Sequence, residues 1–222
     1  MIHAKIISSI EDLNEAKSFQ YQNYYLTENR FLKSNLTSKT FWILSIVLGV
    51  HIYCIFWAFD INISLFISIL FSVFLVGVYV ITRIHLYWKY AMKNQMDTGC
   101  FIPFWLKSGN RLVGLYTKKR KSENLIGIGG IHTTTNPEIC EMKRLWVDDT
   151  YRNRGSGKNL LKAIQDEALK LGYKKVVLST SEIQHEAIRF YQKNNFNFIK
   201  KINVISVLPF NPFYVHHFDR FL

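Results

Sequence analysis

Residues 41–88 form the longest apolar stretch of the chain, and Asp60 is the one acidic residue within it. The stretch divides into residues 41–59 and 64–82, each of about 19 residues. As helices, both segments would be about 28 Å long, close to the roughly 30 Å hydrocarbon core of a bilayer. The pattern therefore predicts two membrane-spanning helices joined by a short turn at residues 60–63.

Basic residues lie outside the two predicted spans, and the turn between the spans contains none. Lys33 and Lys39 precede the first span, whereas Arg83, Lys89 and Lys93 follow the second. Because Lys and Arg collect on the cytoplasmic side of membrane proteins, both ends of the hairpin are expected to face the cytoplasm. The alternative is a buried pair of core helices, which is less consistent with a block that has no polar stripe of helical period.

The rest of the chain alternates between strand-like and helix-like patterns on both sides of the apolar block. Ser9 and the acidic residues after it suit the start of one helix, and Gly172 suits the end of another. The alternation predicts a mixed α/β domain into which the apolar hairpin is inserted. The predicted strands are 3–7, 111–118, 125–132, 139–147, 176–178, 197–207 and 213–221, and the predicted helices run through 15–25, 157–171 and 186–193.

Charge and cysteine content narrow the range of partners. The chain has 28 Lys and Arg against 16 Asp and Glu, a formal net charge of +12. This excess suits an anionic partner such as a nucleic acid, an anionic lipid or a phosphorylated cofactor. The sequence has no helix-turn-helix, RNP or zinc-finger pattern, so a nucleic-acid-binding module is disfavoured. Cys54, Cys100 and Cys140 lack paired spacing, so we expect neither a disulfide framework nor a metal cofactor.

A glycine-bearing loop joins a predicted strand to a predicted helix within residues 145–158. Its core is Arg152-x-x-Gly155-x-Gly157, directly before the helix. Backbone N–H groups of such a loop can point into one concavity, where unpaired donors and the helix dipole favour a pyrophosphate. Taken alone, the same spacing is also typical of an ordinary structural cap. The surrounding elements therefore decide its meaning.

The order of the elements around this loop resembles that of the GNAT acetyltransferase superfamily. The strand, loop and amphipathic helix are followed by Gly-Tyr, a further apolar strand and the helix motif Ala187-x-x-x-Tyr191. That helix leads into Asn195-Phe196, where the family pattern has Gly-Phe, and Asn also tolerates the left-handed conformation. The resemblance implies a GNAT acyltransferase fold, an α/β fold with a mixed, mostly antiparallel sheet flanked by helices.

The inserted hairpin and two further motifs look more narrowly like the N-acetyltransferase 8-like (camello) family. The motifs are Glu141-x-x-Arg144-Leu145-x-Val147-Asp148 and Thr180-Ser181-x-x-Gln184. We therefore expect a two-span membrane protein of the endoplasmic reticulum whose catalytic domain faces the cytoplasm. The expected division is an N-terminal strand and helix at 1–40, a transmembrane hairpin at 41–88 and an acetyl-CoA-binding catalytic domain at 89–222.

The resemblance implies direct transfer of acetyl from acetyl-CoA to an amine, with no acyl-enzyme. Members of the resembling family act on cysteine S-conjugates, aspartate or protein lysines, so the acceptor remains open. The implied cofactor contacts are backbone pairing with the pantetheine arm and a cradle for the pyrophosphate. The first falls to Leu145 and Val147, and the second to Arg152, Asn153, Arg154, Gly155, Ser156, Gly157 and Lys158.

Tyr191 is the candidate general acid for the departing thiolate. A phenol with a pKa of about 10 is protonated at pH 7 and can share its proton with a thiolate whose thiol has a pKa of about 8.5. Beside Phe190 on an apolar helix, Tyr191 also suits the role of a core aromatic residue.

Glu141 is the candidate general base, acting through water. An ion pair with Lys143 or Arg144 would be an equally simple role for its carboxylate. His132, at the end of the preceding strand, is a further candidate base.

A second hypothesis for the whole chain is a catalytically inactive membrane protein that binds acyl-CoA. The loop and its neighbouring strand would then serve binding alone. Acetyl transfer to an amine distinguishes the two hypotheses.

Overall fold

The computed structural model describes residues 2–94, 100–119, 122–205 and 213–222. These residues fall into two compact units. The first is drawn from residues 1–25, 93–202 and 215–222, and the second from residues 26–92 and 203–214.

Seven strands form one sheet in the order β1-β2-β3-β4-β5-β7-β6. The pairs β1–β2, β2–β3, β3–β4 and β5–β7 are antiparallel, and β4–β5 is parallel. The sheet is therefore mixed and mostly antiparallel, as predicted. The strands are β1 (Ile2–Ile7), β2 (Arg111–Lys119), β3 (Ser122–Thr133), β4 (Ile139–Val147), β5 (Lys175–Ser181), β6 (Asn197–Ile205) and β7 (Phe213–Phe221).

Each helix that the sequence pattern predicted is present, although some of the helices differ in length from the prediction. The first helix begins directly after Ser9, as predicted. The Ser9 Oγ accepts a hydrogen bond from the Asp12 N–H at 3.0 Å and so caps the N-terminus of the helix. The helices are α1 (Ile10–Leu36), α2 (Lys39–Ala58), α3 (Leu65–Asn94), α4 (Phe101–Leu106), α5 (Ser156–Lys170) and α6 (His185–Lys193), with a 3₁₀ turn at Asp149–Tyr151.

Several sequence predictions need adjustment. The second apolar helix was predicted to end at residue 82, but α3 continues to Asn94. The first helix was predicted through residue 25, but α1 continues to Leu36. The six-residue helix α4 was not predicted, because so short a segment shows no helical period. Its Pro103 lies in the first turn, where backbone N–H groups have no intrahelical partner. The strand predicted at 197–207 is present to Ile205, and residues 206–207 lie outside the described residues.

The first hydrophobic core lies on the face of the sheet that α5 and α6 cover. Leu160, Ile164 and Ala168 follow one another at four-residue intervals along α5, and all are fully buried. They pack against Met142 of β4 and Leu178 of β5. The helical period read from the sequence therefore marks the buried side of α5.

The second core lies on the opposite face of the sheet, under α1 and α4. Leu112 belongs to this core, whereas its neighbour Val113 belongs to the first, as alternation along a strand requires. Its helical members are Leu13 and Ala16 of α1 with Phe101 and Trp105 of α4.

The apolar hairpin belongs to the second unit, and its two helices meet through small side chains. Buried Ser45 and Gly49 of α2 face α3, where the Ser72 Oγ donates a hydrogen bond to the Ser45 carbonyl. A Cβ on Gly49 would lie 2.7 Å from the Ile69 Cα, so the two backbones approach closely. Most large apolar side chains of the hairpin are exposed, and α2 and residues Leu65–Leu86 of α3 are long and apolar enough to cross a membrane.

We expect Ile164→Ala to destabilise the first core strongly. The Ile164 Cδ1 lies only 2.6 Å from where a Cβ on Gly129 would stand, so this side chain fills the space that the glycine leaves in β3. Loss of such a fully buried side chain costs about 2–5 kcal/mol. Chemical denaturation of the purified protein measures the loss. The matched change Leu169→Ala, on the half-exposed side of the same helix, should alter stability by no more than about 0.5 kcal/mol.

Candidate functional site

The strands β4 and β5 pair over only part of their lengths. Their parallel register runs from Ile139 opposite Lys175 to Met142 opposite Leu178. Beyond these pairs β4 continues to Val147 and β5 continues to Ser181. The two strands therefore separate and leave a wedge-shaped opening between them, the cleft.

A β-bulge lies where β4 leaves β5. Ile128 is opposite Trp146 and Gly130 is opposite Lys143, so two residues of β4 lie opposite the single Gly129 of β3. One of the two is Arg144, whose φ of 62° is in the left-handed region. Because a bulge bends its strand and increases its twist, it accounts for the divergence of β4 from β5.

The last residues of β4 direct backbone groups into the cleft. The Asp148 N–H donates to the Ile126 carbonyl of β3 at 2.8 Å, so Asp148 faces β3. In an antiparallel ladder alternate residues face opposite sides, and Val147 therefore turns its backbone N–H and C=O away from β3. Leu145, two positions earlier, has the same orientation. The two residues predicted to pair with the pantetheine arm thus both line the cleft.

The glycine-bearing loop forms the N-terminal cap of α5. Gly155 is the N-cap residue with a φ of 81°, and Asn153 also has a positive φ, of 59°. A Cβ on Gly155 would meet no atom within 4 Å, so backbone conformation is what requires glycine here. The Ser156 side chain is 1% exposed, and its hydroxyl has no hydrogen-bond partner among the described residues. The loop therefore combines helix N-terminal N–H donors with an unsatisfied hydroxyl.

Arg152 braces this loop from within. Its Nε donates to the Val147 carbonyl at 2.9 Å, and its Nη1 lies 2.8 Å from the Asp149 carboxylate. The guanidinium also stacks over the Trp146 ring, 4.0 Å from the ring centroid. These contacts hold the end of β4 against the start of the loop. Arg152 thus shapes the predicted cradle, and the Asp149 carboxylate partly neutralises its positive charge.

The second glycine of the motif has a packing role. A Cβ on Gly157 would lie 3.3 Å from the Phe190 Cε2 on α6, so glycine allows α5 and α6 to approach closely. Lys158 follows directly and lines a cavity of about 210 Å³ together with Lys162 and Arg220. The start of α5 therefore lies in positively charged surroundings.

Tyr191 lies on α6 within an aromatic cluster. Its ring centroid is 5.5 Å from that of Phe196 and 6.0 Å from that of Phe218. The residue is 7% exposed, and burial raises the pKa of its phenol well above the usual value. No described residue makes a hydrogen bond to its hydroxyl. Tyr191 is thus a neutral phenol at pH 7 whose proton has no acceptor within the described part of the chain.

The predicted turn after α6 has the expected backbone conformation. Asn195 has a φ of 60°, and the Phe196 N–H donates to the Tyr191 carbonyl at 3.0 Å. Asn therefore does what glycine does in the family pattern at this position. At the other end of α6, the Thr180 hydroxyl at the end of β5 donates to the Gln184 side-chain carbonyl at 2.9 Å.

Glu141 lies on the opposite face of the sheet from Tyr191, beside His132. The Glu141 Oε2 is 2.8 Å from the His132 Nε2, whereas the Lys143 Nζ is 3.7 Å away. Arg144, the other predicted ion partner, lies over the Tyr24 ring at 4.7 Å. The two residues proposed separately as candidate bases are thus hydrogen-bonded to each other, because His132 and Glu141 are opposite one another in β3 and β4.

A second histidine with a side-chain hydrogen bond lies on the other side of the cleft, and sequence patterns gave no sign of it. The His217 Nδ1 of β7 is 2.9 Å from the Ser179 Oγ of β5. Ser179 directly follows the last residue of β5 that pairs with β4. The pairing depends on the register of two strands 38 positions apart in sequence, which no local motif encodes.

Cys140 lacks the properties of a nucleophile. It is fully buried, and burial raises the pKa of its thiol to about 12. The thiolate, which is the reactive form, is therefore negligible at pH 7. Within the described ranges, His, Cys, Asp and Glu do not form a group of three or more that could hold a metal ion.

Known proteins resemble part of the chain. At the sequence level it is 35% identical over 77 residues to an IAA acetyltransferase of Azospirillum brasilense, covering 35% of this chain and 50% of that protein. It is 33% identical over 70 residues to the Xenopus tropicalis protein named "Probable N-acetyltransferase 14", covering 32% of this chain and 34% of that protein. The chain thus spans half or less of the length of these relatives.

A solved structure of a GNAT family acetyltransferase from Elizabethkingia anophelis with acetyl-CoA bound is 21% identical, with a TM-score of 0.45. The match covers 59% of this chain and 88% of that one. The profile of the acetyltransferase (GNAT) family matches residues 81–196, which extend from α3 through the cleft and the loop to the end of the Tyr191 helix. Because the family profile matches more than half of the chain, the chain belongs to the acetyltransferase (GNAT) family.

Proposed function

We propose that the chain is an acetyl-CoA-dependent N-acetyltransferase that transfers acetyl directly to an amine. The observation that carries the proposal is the cleft where β4 leaves β5, beside the N-terminus of α5. One side of the cleft is a strand edge with backbone groups directed into it. Its end is a helix N-terminus, which favours an anion. A thioester with amides along its arm and a pyrophosphate at its far end matches both features.

Residues of the cleft divide the binding of acetyl-CoA between them. The backbone groups of Leu145 and the N–H of Val147 would hydrogen-bond the amides of the pantetheine arm, because the Val147 carbonyl already accepts a hydrogen bond from the Arg152 Nε. The loop from Arg152 to Lys158, with the unsatisfied Ser156 hydroxyl, would hold the pyrophosphate. The left-handed Gly155 exposes the loop backbone without a side chain in the way. We assign these roles to the residues that the family pattern implies.

The chemistry requires the acceptor ammonium to lose a proton before it attacks. For a lysine-like amine with a pKa of about 10.4, this costs roughly 4.6 kcal/mol at pH 7, and for an α-amine near 7.8 only about 1 kcal/mol. Glu141, held by His132 at 2.8 Å, accepts this proton through water. The neutral nitrogen then attacks the thioester carbonyl and forms a tetrahedral intermediate. The C–S bond breaks as this nitrogen loses its second proton, which leaves the amide and the thiolate of CoA.

Tyr191 would supply the proton that the departing sulfur needs. Burial raises its pKa, so the phenol stays protonated and first donates a hydrogen bond to the sulfur. The same desolvation raises the proton affinity of the thiolate that forms beside it, so the proton follows as negative charge develops on the sulfur. An acyl-enzyme would need a reactive thiolate, and burial keeps the Cys140 thiol protonated. Direct aminolysis is therefore a simpler route than transfer through Cys140.

One observation favours the alternative of a catalytically inactive acyl-CoA-binding protein. Tyr191 packs against Phe190, Phe196 and Phe218 as a purely structural aromatic residue would. In that case the cleft would bind acetyl-CoA without transferring its acetyl group to any amine.

We further propose that the chain is anchored in a membrane by its hairpin, in the manner of the camello family. Support comes from the exposed apolar side chains of α2 and α3 and from the small residues where the two helices pack. The basic residues outside the spans favour a cytoplasmic location for both ends, in the endoplasmic reticulum. On this proposal the hairpin at 41–88 separates an N-terminal strand and helix at 1–40 from the catalytic domain at 89–222.

We expect Tyr191→Phe to lower kcat by about 10²- to 10⁴-fold while acetyl-CoA affinity stays nearly unchanged, because one proton donor is lost and the ring packing is kept. Steady-state rates with labelled acetyl-CoA measure this. The matched control is Tyr173→Phe, which removes a structural hydroxyl that donates to the Gly109 carbonyl at 3.3 Å. It should cost about 1 kcal/mol of stability and leave activity per folded molecule intact. A wild-type rate for Tyr191→Phe would exclude Tyr191 as the acid.

We expect Gly155→Ala to weaken acetyl-CoA binding, because the left-handed backbone that exposes the loop costs a residue with a Cβ about 1–3 kcal/mol. Gly172→Ala is a close control. Gly172 has a φ of 85°, also has no atom within 4 Å of a Cβ and lies just beyond the other end of α5. Both changes should lower stability similarly, but only the first should raise the Kd measured by calorimetry. Equal affinities in the two variants would contradict the assignment of the loop.

We expect a C-terminal tag to be digested when intact microsomes are treated with protease, since two spans leave both termini on one side and the flanking basic residues favour the cytoplasmic side. Alkaline carbonate should leave the protein in the membrane pellet. A protected tag would reverse the proposed orientation, and release by carbonate would contradict the membrane anchor.

A further inference from the structure

We propose that His217, positioned by Ser179, is a catalytic residue that accepts a proton from the acceptor nitrogen as the new C–N bond forms. The inference rests on the proposed function and adds a second proton acceptor to it. Neither residue belongs to a motif that the sequence marks. The geometry of the cleft brings them to the reaction.

The strand register puts the His132–Glu141 pair and the Ser179–His217 pair on the same face of the sheet. Glu141 is opposite Val177, and Val177 is opposite Asp219. Ser179 and His217 are each two positions from that row and opposite one another, so their side chains share the Glu141 face. His132 shares it as well, because it is opposite Glu141.

The two pairs flank the cleft from opposite sides. His132 and Glu141 lie on β3 and β4, whereas Ser179 and His217 lie on β5 and β7. Ser179 is the first residue of β5 beyond the paired segment, so it lies at the edge of the cleft and is exposed. His217 is only half-buried, and an acceptor bound over the cleft can therefore reach it.

The surroundings of His217 suit a base at neutral pH. Burial lowers the pKa of its imidazole, and the Lys200 ammonium on β6 lowers it further, whereas the Glu141 carboxylate opposes these effects. A lowered pKa keeps the ring neutral at pH 7. When Nδ1 donates its hydrogen to the Ser179 oxygen, Nε2 carries the lone pair that can accept a proton.

The proton balance of the reaction calls for two acceptors. An ammonium becomes an amide nitrogen by losing two protons, one before attack and one after the nitrogen has bonded to the carbonyl carbon. The proposed base Glu141 accounts for the first, and Tyr191 gives the sulfur its proton. The nitrogen of the tetrahedral intermediate is still positively charged, and His217 takes its remaining extra proton as the C–S bond breaks.

The adjacent histidine provides a matched comparison. His216 lies on the opposite face of β7, stacked on Phe218, and burial lowers its pKa as well. It therefore shares the residue type, the strand and the direction of the pKa shift with His217 but faces away from Glu141. A role that depends on the cleft should belong to His217 alone.

The test compares wild type, His217→Gln, Ser179→Ala and His216→Gln with acetyl-CoA and three acceptors: S-benzyl-L-cysteine, L-aspartate and a lysine-containing peptide. We expect His217→Gln to lower kcat by about 10²-fold with unchanged KM for acetyl-CoA and amine, as for loss of a general base. Ser179→Ala should lose roughly fivefold, the rate equivalent of one neutral hydrogen bond. His216→Gln should keep the wild-type kcat. Acetyl-CoA affinity, measured on every variant, reports correct folding.

The dependence on the acceptor separates the two bases. Loss of His217 should slow the α-amine and the lysine amine by the same factor, because it acts after attack. Loss of the carboxylate in Glu141→Gln should slow the lysine amine more, because that amine is the harder one to neutralise. An active wild type with an equally active, acetyl-CoA-binding His217→Gln variant would overturn this inference alone. A wild type inactive on all three amines would overturn the proposed function as well.

Discussion

Backbone N–H and C=O groups need hydrogen-bond partners, and β4 and β5 cease to supply them to each other beyond Met142 and Leu178. The bulge at Arg144 makes this separation possible by bending β4 away. Gly129 opposite the bulge has no side chain, so Ile164 of α5 can fill the space above it. The cleft is thus maintained by the packing of the first core, and its strand edge is the feature on which the proposed binding of acetyl-CoA depends.

The same separation brings the charged and titratable groups of the site to two sides of one opening. On the face that α5 covers, the helix N-terminus and Lys158 supply positive potential for an anion. On the other face, the His132–Glu141 and Ser179–His217 pairs are polar and partly exposed. On the proposed function, binding of the pyrophosphate and removal of protons from the acceptor amine would use opposite faces of the sheet, which meet where the strands part.

Arg152 illustrates how the loop motif combines structure with binding. Its guanidinium contacts the Val147 carbonyl, the Asp149 carboxylate and the Trp146 ring, and these contacts link the end of β4 to the start of the loop. A cradle that is rigid before its ligand arrives pays less conformational entropy on binding. The residue type in the motif is therefore explained by contacts within the protein as well as by its charge.

The sequence by itself determined most of the helices and strands and the place of the glycine-bearing loop before α5. Helical spacing identified the buried side of α5, strand alternation gave the bounds of β4, and Asn195 was correctly expected to accept a left-handed backbone. These features are local, because a side-chain period or a positive φ is set by a few consecutive residues. The same local patterns were too short to reveal α4.

Only the tertiary structure decided which residues meet. Local pattern cannot specify that β7 inserts between β5 and β6, and so it could not bring His217 to Ser179. The local pattern was likewise compatible with several partners for Glu141, and the register of β3 and β4 is what brings His132 to it. Strand neighbours and register follow from burying two faces of a sheet at once, a long-range condition that acts on the whole chain.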